Sequence, residues 1–314
     1  MFNLASPSAV VLATRTNREN EVDQRVVLIT GASRGFGEVA ARELARRGHR
    51  VIASMRKPEV DGEKVRAGYE DLMTTVSLDV TDPAAVNAVV SSIVAEHGRI
   101  DAVVNNAGYG LYGAVEDLSE EELFQQFNTN FMGEWRVCKA VVPHMRAAGG
   151  GTIVNVSSLG ARFVAPLTGM YSATKAAIEA MSEALRYEVD RFNIKVTMLE
   201  PGMYKSDWAT TSLAVCDALS AGTSPYQESA EKALDAFRVM AETRPGPEAV
   251  GMVMADMVEL QQNPPVRIPI GEDAFRLTMA RTFASDDAWE KSMKTGPFFD
   301  GVVAPEAGPG FAGY

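Results

Sequence analysis

Thr30-Gly31-Ala32-Ser33-Arg34-Gly35-Phe36-Gly37 follows a short apolar run, Val26 to Thr30, and leads into Glu38-Val39-Ala40-Ala41, the start of a helical pattern. Where a strand turns into a helix, free amide groups and the helix dipole together favour an anion. Glycines let the backbone approach a pyrophosphate, although any tight strand-to-helix connection can need glycine for its positive φ. Position separates the two readings: this is the first turn of a long alternation of strands and helices, where dinucleotides bind.

From Arg25 onward, short β-branched runs alternate with longer helical stretches, which predicts an α/β fold. Specifically, it predicts a Rossmann-type, doubly wound, parallel seven-stranded sheet with helices on both faces. The expected strands are Val26 to Thr30, Arg50 to Ser54, Thr74 to Leu78, Ala102 to Asn105, Thr152 to Ser157, Lys195 to Leu199 and Val266 to Ile270. Asp82-Pro83 reads as a cap and first-turn proline, and Ser119 with Glu122 as a capping box. Ala173, Ala176, Ala177, Ala180, Met181, Ala184 and Leu185 form one helical stripe of small and apolar side chains, suited to packing on the sheet or on another subunit.

The expected organisation is a flexible extension over residues 1–24, a Rossmann-type domain over 25–271, and a helical segment with an irregular Gly/Pro-rich tail over 272–314. Within the domain the strand pattern lapses after Pro201, so 203–247 reads as an insertion carrying substrate loops.

The chain has 314 residues, a hydrophobic fraction of 46% and a formal charge of -11 from 30 basic and 41 acidic residues. Such a charge disfavours nucleic acid and anionic membranes. No basic residue precedes the short apolar stretch Ala9 to Ala13, and no run approaches a membrane span, so a cytoplasmic protein is expected. Two distant cysteines, Cys138 and Cys216, and three scattered histidines, His49, His97 and His144, offer neither a disulfide framework nor metal-ligand spacing.

The second strand ends Ala53-Ser54-Met55-Arg56, without the carboxylate that would bind the adenosine ribose hydroxyls of NAD. Arg56 and Arg34 could instead pair with a 2′-phosphate, so NADP(H) is the preferred cofactor and NAD(H) the alternative. Solvated surface arginines are the competing explanation.

Tyr171 and Lys175 lie four residues apart at the start of a helix and so share a face. A nearby ammonium lowers a tyrosine's proton affinity and moves it towards acid-base chemistry. Ser158 ends an apolar strand at the carboxyl edge of the sheet, where its hydroxyl could polarise a carbonyl. Ser157 beside it is the chemical competitor, since adjacent strand residues face opposite ways.

Together these segments resemble the short-chain dehydrogenase/reductase family, its core-length branch, over roughly Arg25 to Gly271. The family's glycine turn corresponds to Thr30 to Gly37, its Asp-Val to Asp79-Val80, its Asn-Asn-Ala-Gly to Asn105-Asn106-Ala107-Gly108, and its Tyr-x-x-x-Lys to Tyr171 and Lys175. The resemblance implies Ser158, thirteen residues before Tyr171, as the catalytic serine and Asn130 as the proton-relay asparagine. It implies that Gly31, Ser33, Arg34, Gly35, Phe36, Gly37, Arg56, Asp79, Val80, Asn106, Ala107, Gly108, Pro201, Gly202 and Ser206 contact the cofactor together with Tyr171 and Lys175. Ser206 stands where a threonine is usual. The implied activity is an NADP(H)-dependent interconversion of ketone or aldehyde and alcohol, with Tyr171 as acid and base.

Tyr109, Leu111, Phe163, Val164, Leu167, Met170, Met203, Tyr204 and Trp208 follow these motifs and are expected to wall a hydrophobic substrate cleft. Ser54-Met55-Arg56 and the long insertion after Glu200-Pro201-Gly202 are similar to the hydroxysteroid- and retinol-dehydrogenase side of the family. A small hydrophobic carbonyl or alcohol substrate, no metal, and a homodimer or homotetramer complete the expectation. The competing functional readings are a non-catalytic NADP(H)-binding sensor or scaffold, and an epimerase or dehydratase of the same fold.

Overall fold

A computed structural model describes residues 24–205 and 211–295. Among these, the strands in chain order are β1 (Val26–Ile29), β2 (Arg50–Met55), β3 (Met73–Ser77), β4 (Ala102–Asn105), β5 (Gly110–Tyr112), β6 (Gly151–Val156), β7 (Ile194–Pro201), β8 (Leu213–Val215) and β9 (Arg267–Ile270). The helices are α1 (Gly35–Arg46), α2 (Pro58–Arg66), α3 (Pro83–His97), α4 (Glu120–Phe127), α5 (Gly133–Ala147), α6 (Gly169–Val189), α7 (Asp217–Ser220), α8 (Gln227–Glu242), α9 (Glu248–Glu259), α10 (Glu272–Phe283) and α11 (Asp286–Thr295).

Seven strands form one parallel sheet in the order β3-β2-β1-β4-β6-β7-β9. The four residues of β1 and the four of β4 are all buried, as two-sided coverage of a parallel sheet requires. On one face, Val27, Ile29 and Val104 pack with Ala40, Ala41 and Leu44 of α1 and Val250, Met254 and Val258 of α9. On the other, Leu28, Val103 and Ile153 meet Val86, Val90 and Ile93 of α3 and Val137, Val141 and Met145 of α5. Because the chain winds outward from β1 in one direction and from β4 in the other, a crevice opens at their carboxyl ends.

Both cap assignments appear in the structure. Asp82 accepts from the amides of Ala84 and Ala85 with Pro83 in the first turn of α3, and Ser119 and Glu122 form a reciprocal capping box at α4. The reading of the insertion as strand-free is corrected by β8, which pairs in parallel with β5 as a separate two-stranded sheet. Two strands of three residues are too short to register as a period-2 pattern. They sit over a satellite core of Leu111, Tyr112, Leu167, Cys216, Leu219, Ala230 and Leu234.

The face that α6 turns inward carries Ser172, Lys175, Ile178, Glu179 and Ser182, while Ala176, Ala180 and Ala184 of the alanine stripe are exposed. The stripe is therefore split: Met181 and Leu185 pack against the core on the sheet, while Ala176, Ala180 and Ala184 face outward.

Candidate active site

Two turns meet where the crevice opens. The Thr30 hydroxyl accepts from the amides of Asn106 and Ala107 at 3.0 and 3.1 Å, and the Asn106 side-chain amide donates to the Thr30 and Gly31 carbonyls at 3.1 and 2.9 Å. Gly31 has φ +66, and a β-carbon there would stand 2.8 Å from the Ala107 α-carbon. Only glycine suits both the dihedral and the approach. At Gly37 an added β-carbon would come within 2.5 Å of the Gly31 carbonyl oxygen and 2.6 Å of Asn106 Nδ2.

Above these turns lies a cavity of about 810 Å³. Its walls include Gly31, Ser33, Arg34, Gly35, Phe36, Arg56, Asp79, Val80, Asn106, Ala107, Gly108, Ser158, Tyr171, Lys175, Pro201 and Gly202, so most of the sequence-expected residues converge on one space. Gly37 is a correction: it is buried and does not line the cavity, and its role is to let α1 pack against the turn. Asp79 lines the wall and also closes its own turn, accepting from the Thr81 amide and hydroxyl at 2.9 and 2.7 Å. Ser206 and Trp208 lie outside the described residues.

Strand alternation sorts the adjacent serines. Both border the cavity, but the Ser157 hydroxyl is buried and donates to Glu179 at 2.9 Å, whereas the Ser158 hydroxyl is hydrogen-bonded to Tyr171. The Ser158 hydroxyl also accepts from the Gly160 amide at 3.0 Å, which fixes its direction. One helical turn beyond Tyr171, Lys175 is buried and its Nζ donates to the Val156 carbonyl at 2.7 Å. The ammonium lies 5.9 Å from the centre of the Tyr171 ring.

The expected depression of the Tyr171 proton affinity does not hold in the free protein: burial pushes its phenol up to about 12, against an opposing hydrogen bond from Ser158. Burial lowers the Lys175 ammonium, with Glu134 acting the other way. Glu134, absent from the sequence reading, is buried on α5. Its signal was a carboxylate on the otherwise apolar inner face of a helix, four residues after Asn130.

Asn130 is fully buried in a single π turn, Asn128–Met132, between α4 and α5. Its Oδ1 accepts from the Tyr109 amide at 3.0 Å, and its Nδ2 donates to the Tyr109 carbonyl at 2.9 Å and to the Thr174 hydroxyl at 3.2 Å. The side chain thus clamps the segment after Gly108 to the residue preceding Lys175.

On the substrate side Tyr109, Phe163, Leu167, Met203 and Tyr204 line the cavity. Leu111, Val164 and Met170 do not, correcting the expectation. Leu111 and Tyr112 both belong to the satellite core, and of the two only Tyr112 also borders the cavity; Val164 is exposed to solvent. The insertion, expected to carry substrate loops, lines the cavity with residues the sequence reading did not name, Leu213 and Ala233, Ala236, Phe237 and Met240 of α8. Phe163 meets Trp289 edge to face, so α11 braces this end.

Among the described residues, no helix is long and apolar enough to cross a membrane, and no cluster of His, Cys, Asp and Glu is placed to hold a metal.

Comparison with known proteins agrees with this geometry. The family described as short chain dehydrogenase matches residues 25–214. A 3-ketodihydrosphingosine reductase of Bacteroides thetaiotaomicron is 38% identical over 250 residues, which cover 79% of this chain and 88% of the relative. A short-chain dehydrogenase from Streptomyces avermitilis superimposes with a TM-score of 0.75 at 31% identity, covering 88% of this chain and 97% of that one. The structure of ElxO with NADP bound gives a TM-score of 0.67 at 25% identity, covering 81% and 99%. The protein belongs to the short-chain dehydrogenase family and is an oxidoreductase.

Gly37→Ala tests the packing of the glycine turn. The new methyl should displace Gly31 and Asn106, cost about 1–3 kcal/mol of stability and weaken nicotinamide-dinucleotide binding, as read by thermal melting and calorimetric titration.

Proposed function

We propose that the protein interconverts a ketone or aldehyde and the corresponding alcohol on a mainly hydrophobic substrate, with NADP(H) as redox partner and Tyr171 as the proton-transfer residue. The observation that carries this reading is the hydrogen-bonded pair of Ser158 and Tyr171 hydroxyls facing the cavity, with Lys175 buried one turn behind. The glycine turn fits the cofactor: at Gly31 a β-carbon would fill the close approach, and Ser33 and Gly35 border the same space. When bound, the nicotinamide supplies or takes up the hydride.

A carbonyl oxygen placed between Ser158 and Tyr171 accepts two hydrogen bonds, which polarise it and stabilise the charge that develops there. Tyr171 then donates its proton to that oxygen. The Lys175 ammonium favours the phenolate left behind and so offsets the burial that otherwise holds the proton on Tyr171. Asn130 is a positioning residue, joining the Tyr109 backbone to α6 next to Lys175. In alcohol oxidation the same groups work in reverse.

Tyr171→Phe should lower turnover by at least about a hundredfold while leaving dinucleotide affinity within about threefold. Ser158→Ala should reduce kcat with little loss of stability. Ser157→Ala should do the opposite, because it removes a buried partner of Glu179. Robust turnover by Tyr171→Phe would refute the assignment.

Arg34 and Arg56 support the preference for NADP(H). Both border the glycine-turn end of the cavity, and β2 ends at Met55 with no carboxylate to repel a 2′-phosphate. Arg34 is 3.9 Å from Asp61, loose enough to turn towards a bound phosphate. The NADP bound to the related ElxO is in keeping with this. Arg56→Asp should reduce the kcat/KM ratio for NADPH over NADH by at least about tenfold; an unchanged ratio removes Arg56 from the assignment.

The apolar wall of Tyr112, Leu213, Phe237 and Met240, with small Ala233 and Ala236 leaving room between them, supports a bulky hydrophobic substrate. The name of the Bacteroides relative, a reductase of a 3-keto compound, points the same way.

The outward stripe of Ala176, Ala180 and Ala184, together with Tyr187 on α6 at 67% exposure and Phe124 on α4 at 61%, supports a homodimer or homotetramer joined through these helices. Light scattering should give a mass above that of one chain, reduced by Ala180→Arg. A wild-type mass of one chain would exclude the arrangement.

A further inference from the structure

The charged side chains that border the cavity do not balance. Arg34 and Arg56 stand at its glycine-turn end, and Lys175 is bonded to the Val156 carbonyl. The two carboxylates on the wall are committed to backbone amides: Asp79 accepts from Thr81 at 2.9 Å, and Asp273 accepts from Met203 and from Ala274, each at 2.9 Å. Arg244 is a further cation on the same wall, and no role given above uses it.

Arg244 reaches the cavity as the continuation of α8. Ala233, Phe237 and Met240 line the space from this helix, at spacings of three and four that keep them on one face. Four residues after Met240, the turn that closes α8 carries Arg244, whose amide donates to the Ala241 carbonyl at 3.2 Å. The amide of Lys205 donates to the carbonyl of Pro245 at 2.8 Å, which fixes this turn beside the base of the insertion.

An arginine just after a helix C-terminus is ordinarily held by the last carbonyls of the helix or lies in solvent. Neither describes Arg244: the side chain is half-buried, and its Nε is shielded from solvent without a hydrogen-bond partner. Glu242, the nearest carboxylate in sequence, pairs with Lys205 at 2.6 Å instead. A charged donor withdrawn from water with nothing to accept from it costs free energy that a bound anion offsets. In a chain of formal charge -11, this is a local arrangement and not part of a basic surface.

We propose that Arg244 is a specificity-determining residue: the substrate carries a carboxylate that pairs with its guanidinium, while an apolar body lies along Ala233, Phe237 and Met240. The proposal rests on the reading of this wall as the substrate side of a carbonyl reductase. The guanidinium fork matches the two oxygens of a carboxylate. One such cation balances a single negative charge, which suits a carboxylate better than a phosphate, whose charge approaches two. The diphosphate of the dinucleotide is the other source of anionic oxygens, but the amides of the glycine turn and the start of α1 already serve it. Arg244 belongs by its place on α8 to the opposite, apolar wall.

The test measures binding to the full chain saturated with NADP+, which forms no product with a ketone, so turnover is not involved. Aliphatic methyl ketones ending in a carboxylate are compared with their methyl esters by calorimetric titration. Wild type should bind the acid at least about tenfold more tightly than the ester. The ratio should shrink in Arg244→Lys, which keeps the charge but loses the fork, and vanish in Arg244→Met, while NADP+ affinity stays within about threefold of wild type. An acid bound no more tightly than its ester by wild type overturns the proposal, and so does a preference that survives in Arg244→Met. A fall in NADP+ affinity in Arg244→Met with the acid-to-ester ratio unchanged also overturns it and assigns Arg244 to the diphosphate. If Arg244→Met does not fold, the wild-type ratio and its change in Arg244→Lys decide. An active Tyr171→Phe variant would refute the catalytic reading, whereas the acid-to-ester ratio is read without catalysis.

Discussion

The site depends on one close crossing of backbone. Thr30, at the end of β1, accepts from two successive amides after β4, and Asn106 returns two hydrogen bonds to the carbonyls of Thr30 and Gly31. These bonds tie together the carboxyl ends of the two central strands, where the direction of winding reverses. Gly31 is pressed against Ala107 and Gly37 against Gly31, so helix, turn and neighbouring loop form one unit. The start of α1 and the Asn106-Ala107-Gly108 wall are positioned by the same contacts.

A second constraint is the burial of charge. Lys175 enters the interior because Tyr171 must sit at the cavity wall and both belong to one face of α6. Burial disfavours the lysine's charge and the tyrosine's deprotonation alike, which opposes the chemistry proposed for them.

The same economy appears at the end of β6. Ser157 turns to Glu179, which is in turn held by Arg267 Nε at 2.9 Å, and Ser158 turns to Tyr171. One hydroxyl anchors the strand end to α6 and β9, and its neighbour faces the cavity. The anchoring network thereby holds the direction of Ser158.

Beyond Asn106 to Gly108 and the choice of Ser158, which came from the family resemblance, sequence alone determined the alternation of strands and helices, the seven-stranded parallel sheet, the glycine turn and the shared helix face of Tyr171 and Lys175. These are legible because they rest on local rules: periodicity, glycine dihedrals, caps, and four-residue spacing on a helix. The tertiary structure decided that the Ser157 hydroxyl turns to Glu179 and the Ser158 hydroxyl to Tyr171, because a side chain's direction depends on what the sheet packs against. It also placed Leu111 in a satellite core and brought α8 into the substrate wall. Each of those joins segments far apart in the chain, and no local pattern encodes a distance across the fold.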